Sequence, residues 1–256
     1  MPYLGMPDTT KKVSIHVVLD RSGSMHTTKE STIDGYNEYV NALRQDKESE
    51  YTISLIQFDA PLAAPELTVS YENRALADVP ALTAETYVPR GNTPLYDAIG
   101  ECVRRVDVKD AGVIMLIITD GHENASTEFT KDTIQALIKE KEAAGWTFSF
   151  LGANIDSYAV GGSVGVAAAN ISNYVAGNEQ ALYSNLAQAT MTKAMQYRTA
   201  GVQASVKMAF FNDQQRADMQ SPLSTTTTTG GRPAAPTTFR PPATEPKRRD
   251  WTVRNS

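Results

Sequence analysis

Cysteine is nearly absent from this 256-residue chain, Cys102 being the one thiol. That excludes a disulfide within the chain and a cysteine-rich zinc site. Cys102 itself falls on the apolar face of a predicted helix and reads as a small core residue. Histidine is scarce too, with only His16, His26 and His122. His16 interrupts an apolar run and reads as a hydrogen-bonded strand residue; His26 and His122 read as surface loop residues. No apolar run approaches the length of a membrane span, and Met1 to Lys12 lacks the apolar stretch of a secretory leader. The expectation is a cytoplasmic protein with no membrane contact. Clustered positive charge is missing from most of the chain. From Gln220 onward six basic and two acidic residues leave +4, so the first 219 residues carry −9 of the overall −5. An acidic body argues against specific nucleic-acid binding, which needs a clustered positive field.

What is present is apolar and alternating. Hydrophobic residues make up 41% of the chain, enough for a substantial core. Val13–Asp20 reads as a strand, Thr27–Gln45 as an amphipathic helix, Tyr51–Phe58 as a second strand and Glu66–Tyr71 as an edge strand joined by a hairpin. A polar, irregular stretch follows to Asn92. Leu95–Val106 is helical by spacing, and Val113–Thr119 is apolar throughout, as a central parallel strand covered on both faces should be. Ile134, Leu137 and Ile138 mark a helix ending near Gly145, and Trp146–Gly152 is the next strand. Asp156 is placed to cap a small-residue helix through Ala169, in which Gly161-Gly162-Ser163-Val164-Gly165 reads as close packing, not as a phosphate loop. A short strand at Ile171–Val175 and a helix at Glu179–Arg198 follow. Strands alternating with helices predict an α/β fold: three layers around a doubly wound, Rossmann-like, mostly parallel sheet. We expect one domain over residues 12–200. Residues 201–220 read as a docking or transitional segment in which Val202–Phe211 adds a strand or docks. Residues 221–256 read as a disordered, Pro/Thr-rich basic tail.

The first strand ends abruptly in Asp20-Arg21-Ser22-Gly23-Ser24. A carboxylate and two hydroxyls at alternate positions can turn to one side of a strand-to-helix loop. Small oxygen donors of this kind suit a hard cation such as Mg2+, which takes oxygen ligands at about 2.0–2.1 Å in octahedral geometry. Two more polar clusters end apolar elements: Asn92-Thr93-Pro94-Leu95 and Ile117-Ile118-Thr119-Asp120-Gly121. Open α/β sheets bind ligands outside the carboxyl ends of their strands, where strand order reverses. With the common order 3-2-1-4-5-6, Asp20 ends the first strand, Asp120 the fourth, and the two acids face each other across that crevice.

Asp20-x-Ser22-x-Ser24, Gly91-Asn92-Thr93-Pro94-Leu95-Tyr96-Asp97-Ala98-Ile99 and Ile118-Thr119-Asp120-Gly121 together resemble the von Willebrand factor type A domain. The phrase around Thr93 is similar to that of its intracellular bacterial and phage branch, and the likeness runs from about Lys12 to Arg198. It implies a metal ion-dependent adhesion site in which Ser22, Ser24 and Thr93 supply hydroxyls, while Asp20 and Asp120 bind directly or through water. By the same likeness the metal is Mg2+, with Mn2+ or Ca2+ as substitutes. The partner is a protein presenting Asp or Glu to that metal, and an ATPase or phosphorylation enzyme is one kind the resemblance allows.

The residues also speak to catalysis. Asp20-Arg21-Ser22-Gly23-Ser24 is not the G-x-S-x-G elbow of a hydrolase, and Ser22 stands where an aspartyl phosphatase has its second acid. His122 and Glu123 read as a solvated loop at the rim of the crevice. The expectation is a metal-dependent binding module and not an enzyme; a metal-assisted hydrolase and a scaffold with a purely structural metal are the alternatives.

Overall fold

The computed structural model describes residues 8–63 and 65–221. The expected tail, 221–256, lies outside them except for its first residue. At the centre is a six-stranded sheet in the order β3-β2-β1-β4-β5-β6, the order assumed above. Its strands are β1 (Lys12–Asp20), β2 (Glu50–Asp59), β3 (Glu66–Ala75), β4 (Gly112–Thr119), β5 (Thr147–Ala153) and β6 (Ile171–Tyr174). Only β3 runs antiparallel, hairpinned onto β2 at the edge. The remaining pairs are parallel, with Asp20 opposite Phe58 and Leu19 opposite both Gln57 and Ile118.

Alternation along each strand divides the core. Val13, Ile15, Val17 and Leu19 of β1, with Ile114, Leu116 and Ile118 of β4, bury against α1 (Lys29–Leu43) and α5 (Glu179–Thr199). Val18, Met115, Ile117, Phe148 and Phe150 face the other way. They pack on α2 (Leu95–Arg105), α3 (Lys131–Ala143) and α4 (Ser157–Ser163). Two fully covered faces explain why β4 is apolar throughout. His16 is buried and hydrogen-bonded to Ser14 (Nε2 to Oγ, 2.9 Å), and burial pushes its imidazole down to about 4. Cys102 is fully buried, which pushes its thiol up.

The chain departs from or narrows the sequence reading at several points. The helix from Asp156 stops at Ser163. There Gly165 N donates to Gly162 O and Val166 N to Gly161 O, a Schellman closure that satisfies the last carbonyls and ends the helix. Gly161 still serves close packing, since a Cβ there would meet Phe150 at 2.9 Å. Val202–Phe211 contains no strand. It carries the short α6 (Val202–Ser205) and leads into α7 (Asp213–Gln220), whose Met219 O accepts from Val175 N just beyond β6. Phe210, Phe211 and Met219 are buried against α5 and β6, completing that face. Finally, α1 begins only at Lys29, after a 3-10 stretch over Gly23–Thr28 that turns the chain out of the β1 loop.

Candidate metal centre

The parallel order sets Asp20 and Asp120 at the carboxyl ends of neighbouring strands, β1 and β4. Asp20 is fully buried, and both of its carboxylate oxygens accept: Oδ1 from Ser22 N at 2.6 Å and Oδ2 from Thr119 Oγ1 at 2.5 Å. Its backbone carbonyl accepts from the buried Tyr87 hydroxyl at 2.7 Å. Ser22 is buried and Ser24 exposed, their hydroxyls 3.1 Å apart, and Ser24 Oγ donates to Asp120 Oδ1. This last bond crosses from the β1 loop to the β4 loop.

Thr93 comes from a third loop. Gly91, at φ +66°, packs against the turn after β2, where any Cβ would sit 2.4 Å from Ala60 O. Asn92 N donates to Ala60 O, Ala60 N to Asn92 O, and Gly23 N to Gly91 O at 2.9 Å. Thr93 N donates to Asn124 Oδ1 at 2.8 Å, and Asn124 N returns to Thr93 O. Gly121 leaves room for the threonine: a Cβ there would lie 2.7 Å from Thr93 Oγ1. The structure thus brings all five sequence-predicted residues to one crevice, with Thr93 and Asp120 both buried.

Two sets of supporting contacts escaped the sequence reading. Arg21, buried between the site's own residues, points away from them. Its Nη2 pairs with Asp59 Oδ1 at 2.9 Å and Glu66 Oε1 at 3.1 Å, while Arg90 binds the same two acids. Asp97 is buried at the start of α2 and accepts from Thr127 N, Glu128 N and Phe129 N at 2.8–2.9 Å. Glu123, read as solvated, instead accepts from Tyr96 N, Ala125 N and Ser126 N, capping the first turn of α2. His122 is exposed, as expected.

The electrostatics follow from this geometry. Burial, outweighing its hydrogen bonds, pushes the Asp20 carboxyl up to about 7, and burial also raises Asp120. Arg21 is engaged by Asp59 and Glu66 and does not offset them. Among the described residues no cluster of three or more His, Cys, Asp or Glu side chains has metal-binding geometry. The donor set here is different in kind: three hydroxyls and two carboxylates, all hard oxygens, with buried negative charge left uncompensated. It fits a small dication such as Mg2+ and not a soft metal. No helix of the described residues is long and apolar enough to cross a membrane.

No family model matches the chain, and neither does any curated protein. Solved structures do resemble it. The pilus adhesin SpaC of Lactobacillus rhamnosus GG, in its open conformation, is 14% identical with a TM-score of 0.53 over 72% of this chain and 30% of that one. Proximal thread matrix protein 1 of the mussel byssus is 12% identical, with a TM-score of 0.51 over 81% of this chain and 48% of its own. The chain therefore spans less than half the length of either. The vWF domain of the type V pili tip protein Mfa5 from Porphyromonas gingivalis is 10% identical, with a TM-score of 0.50 over 71% of this chain and 95% of that one. At these identities the likeness concerns architecture, and its reach over nearly the whole of the Mfa5 domain defines it: this chain has the fold of a von Willebrand factor type A domain.

Proposed function

We propose that the protein is a Mg2+-dependent protein-binding module that captures an acidic side chain of its partner and carries out no catalysis. The observation that carries this reading is the convergence of Asp20, Ser22, Ser24, Thr93 and Asp120 from three separate loops onto one crevice at the switch point of the sheet. Asp20 and Asp120 would hold the charge of a bound cation, and the three hydroxyls would add oxygen ligands without adding charge. A dication held there would supply an electrophilic position able to accept a partner's Asp or Glu carboxylate. The chain's own contribution is orientation. Thr119 and Ser22 N fix the Asp20 carboxylate, Asn124 fixes the Thr93 backbone, and the Arg21–Asp59 pair keeps the neighbouring guanidinium out of the crevice. Mn2+ and Ca2+ are expected to substitute for Mg2+. Adhesion and pilus-tip proteins among the similar structures support a role in protein contact, and the partner here is expected inside the cell, with an ATPase or phosphorylation enzyme as one candidate kind.

Calorimetric titration of Mg2+ into wild type, Asp20→Ala and Asp120→Ala tests the metal. Heat in wild type and none in the variants is expected; equal heats in all three overturn the reading. Partner capture from host lysate should be lost in EDTA and in Thr93→Ala while the far-UV circular dichroism stays unchanged. Loss of the folded spectrum in EDTA would instead assign the metal a structural role.

A further inference from the structure

One buried hydroxyl outside the five-residue set is bonded into both loops that carry the acids. Thr119 is the last residue of β4 and is fully buried. On one side it still stands in the backbone ladder, opposite Gly152 of β5, so the sheet fixes its place. On the other side the ladder between β1 and β4 stops one position earlier, at Leu19 and Ile118. Where that pairing ends a side-chain bond continues it: Thr119 Oγ1 donates to Asp20 Oδ2 at 2.5 Å. The hydroxyl has one proton, and Asp20 Oδ2 is nearer to it than the other acceptor in reach, Gly121 O at 3.2 Å. The same oxygen accepts from Gly121 N at 3.0 Å, closing a turn around Asp120.

A single side chain, itself held by the sheet, therefore sets where the Asp20 carboxylate stands and how the chain turns at Asp120. Ser22 N holds the other Asp20 oxygen at 2.6 Å, so that carboxylate is clamped from both sides. Fixed acids matter differently to different cations. Mg2+ demands a near-ideal octahedron of oxygens at about 2.0–2.1 Å, whereas Ca2+ takes about six to eight at about 2.3–2.6 Å in adaptable geometry. Two carboxylates that cannot move apart suit the smaller ion and resist expansion around the larger one.

We propose that Thr119 is the specificity-determining residue of the metal centre. Without ligating, it fixes the placement of Asp20 and Asp120 so that the site takes Mg2+ in preference to Ca2+. The proposal rests on the metal-binding reading above and goes beyond it, because it assigns the choice of ion to the end of a strand and not to the donors themselves.

Thr119→Val keeps the β-branched shape and removes the hydroxyl; Thr119→Ser retains the hydroxyl. Mg2+ and Ca2+ are titrated calorimetrically into wild type, both variants, Asp20→Ala and Thr147→Val. Thr147 is buried at the start of β5, where its hydroxyl bonds the Tyr197 hydroxyl, so its variant controls for the loss of a buried hydroxyl elsewhere in the sheet. Wild type should bind Mg2+ more tightly than Ca2+. Thr119→Val should lose at least about tenfold in Mg2+ affinity, the usual cost of removing a hydrogen bond to a ligating carboxylate. Its Ca2+ affinity should fall by no more than about threefold, because the larger ion tolerates a looser shell. Thr119→Ser and Thr147→Val should keep the wild-type preference. Hydrogen exchange supplies a readout without metal: in EDTA the Gly121 amide should exchange faster in Thr119→Val than in wild type or Thr119→Ser. The inference is overturned if Thr119→Val binds both ions as wild type does, or loses affinity for the two equally, the pattern of a site that is only loosened. It is also overturned if wild type shows no preference for Mg2+, if Thr119→Ser fails to keep that preference, if Thr147→Val narrows it as much, or if Gly121 exchange is unchanged in Thr119→Val. Asp20→Ala and wild type behaving alike toward both ions would instead overturn the metal centre itself, and this inference with it.

Discussion

Asp97 sits within the most family-like phrase of the chain yet contributes nothing to the donor set, and its replacement offers a demanding test of the structure. Its carboxylate accepts three backbone N–H bonds, from Thr127, Glu128 and Phe129, and lies in the first turn of α2. A hydrogen bond to an ionised acceptor contributes roughly 1.5–3 kcal/mol. Thr127 and Glu128 are exposed and their amides recover water when the acid is lost, so the three bonds do not add in full. The favourable charge at the α2 N-terminus contributes a further 0.3–1 kcal/mol or so. Asp97→Ala should therefore lower the unfolding free energy by about 4 kcal/mol. Asp97→Asn should lower it by about 2 kcal/mol, since its amide retains one acceptor and turns a donor toward N–H groups. The loop consequence is separate. Phe129 packs on Gly100, where a Cβ would meet its ring at 2.4 Å, and Arg104 lies over that ring. Hydrogen exchange at residues 123–130 should accelerate in Asp97→Asn under conditions where β1 and β4 remain protected. Urea unfolding supplies the free energies. An Asp97→Asn protein within about 0.5 kcal/mol of wild type, with unchanged exchange in that loop, would refute the clamp.

Gly121→Ala should push its new methyl onto Thr93 Oγ1, 2.7 Å away. The expected result is a destabilisation of about 1–3 kcal/mol together with weakened Mg2+ binding; undiminished Mg2+ affinity would remove Thr93 from the donor set. His16 makes acid stability a second test. Its folded value of about 4 lies below the ordinary 6.5, so the unfolded chain binds the proton more readily between the two. The contribution is fully present above pH 6.5 and is lost as pH falls toward 4, by about 2 kcal/mol between pH 7.5 and pH 5. Urea midpoints of His16→Gln should show a pH dependence shallower by that amount, and parallel curves for the two proteins would reject the assignment.

The alternation of strands and helices, the two helical layers and the gathering of the five candidate residues at one sheet edge were legible because each rests on local patterns, while the strand order came from the common arrangement of such sheets. Apolar runs ending in acids mark carboxyl edges, and helical spacing over Leu95–Val106 marks which face is buried. The supporting contacts were not legible, because each joins residues far apart in sequence whose partners only the folded chain selects. Arg21 reaches Asp59 across 38 positions, Asp97 reaches the loop 30 positions on, and Tyr87 reaches the Asp20 carbonyl across 67. Glu123 illustrates the point. In sequence it is one more polar residue in a loop; in the structure its carboxylate turns back onto α2 and organises the turn carrying Ser126. The choice between a strand and a docking segment over Val202–Phe211 stayed open for a related reason. Phe210, Phe211 and, further on, Met219 carry no periodic signal, and they gain their role from the groove that α5 and β6 present to them.

The contacts that hold the three loops are almost all distinct from the contacts that would hold a metal. Gly23 N to Gly91 O, Arg90 N to Arg21 O, Ala60 to Asn92, Thr93 to Asn124, and the Arg21–Asp59–Arg90 pairs all use backbone groups or side chains outside the donor set. Among the described residues the Ser22 and Ser24 hydroxyls, by contrast, bond to each other and to the site's own acids, so they can turn toward a cation without breaking the framework. Asp20 belongs to both groups, fixed by Thr119 and Ser22 N while offering its charge to the crevice. A site whose first donors are oriented by an independent scaffold needs little rearrangement to accept its ion. On the proposed reading, removing the cation would therefore leave the loops in place, and the metal would govern attraction for an acidic partner and not the fold.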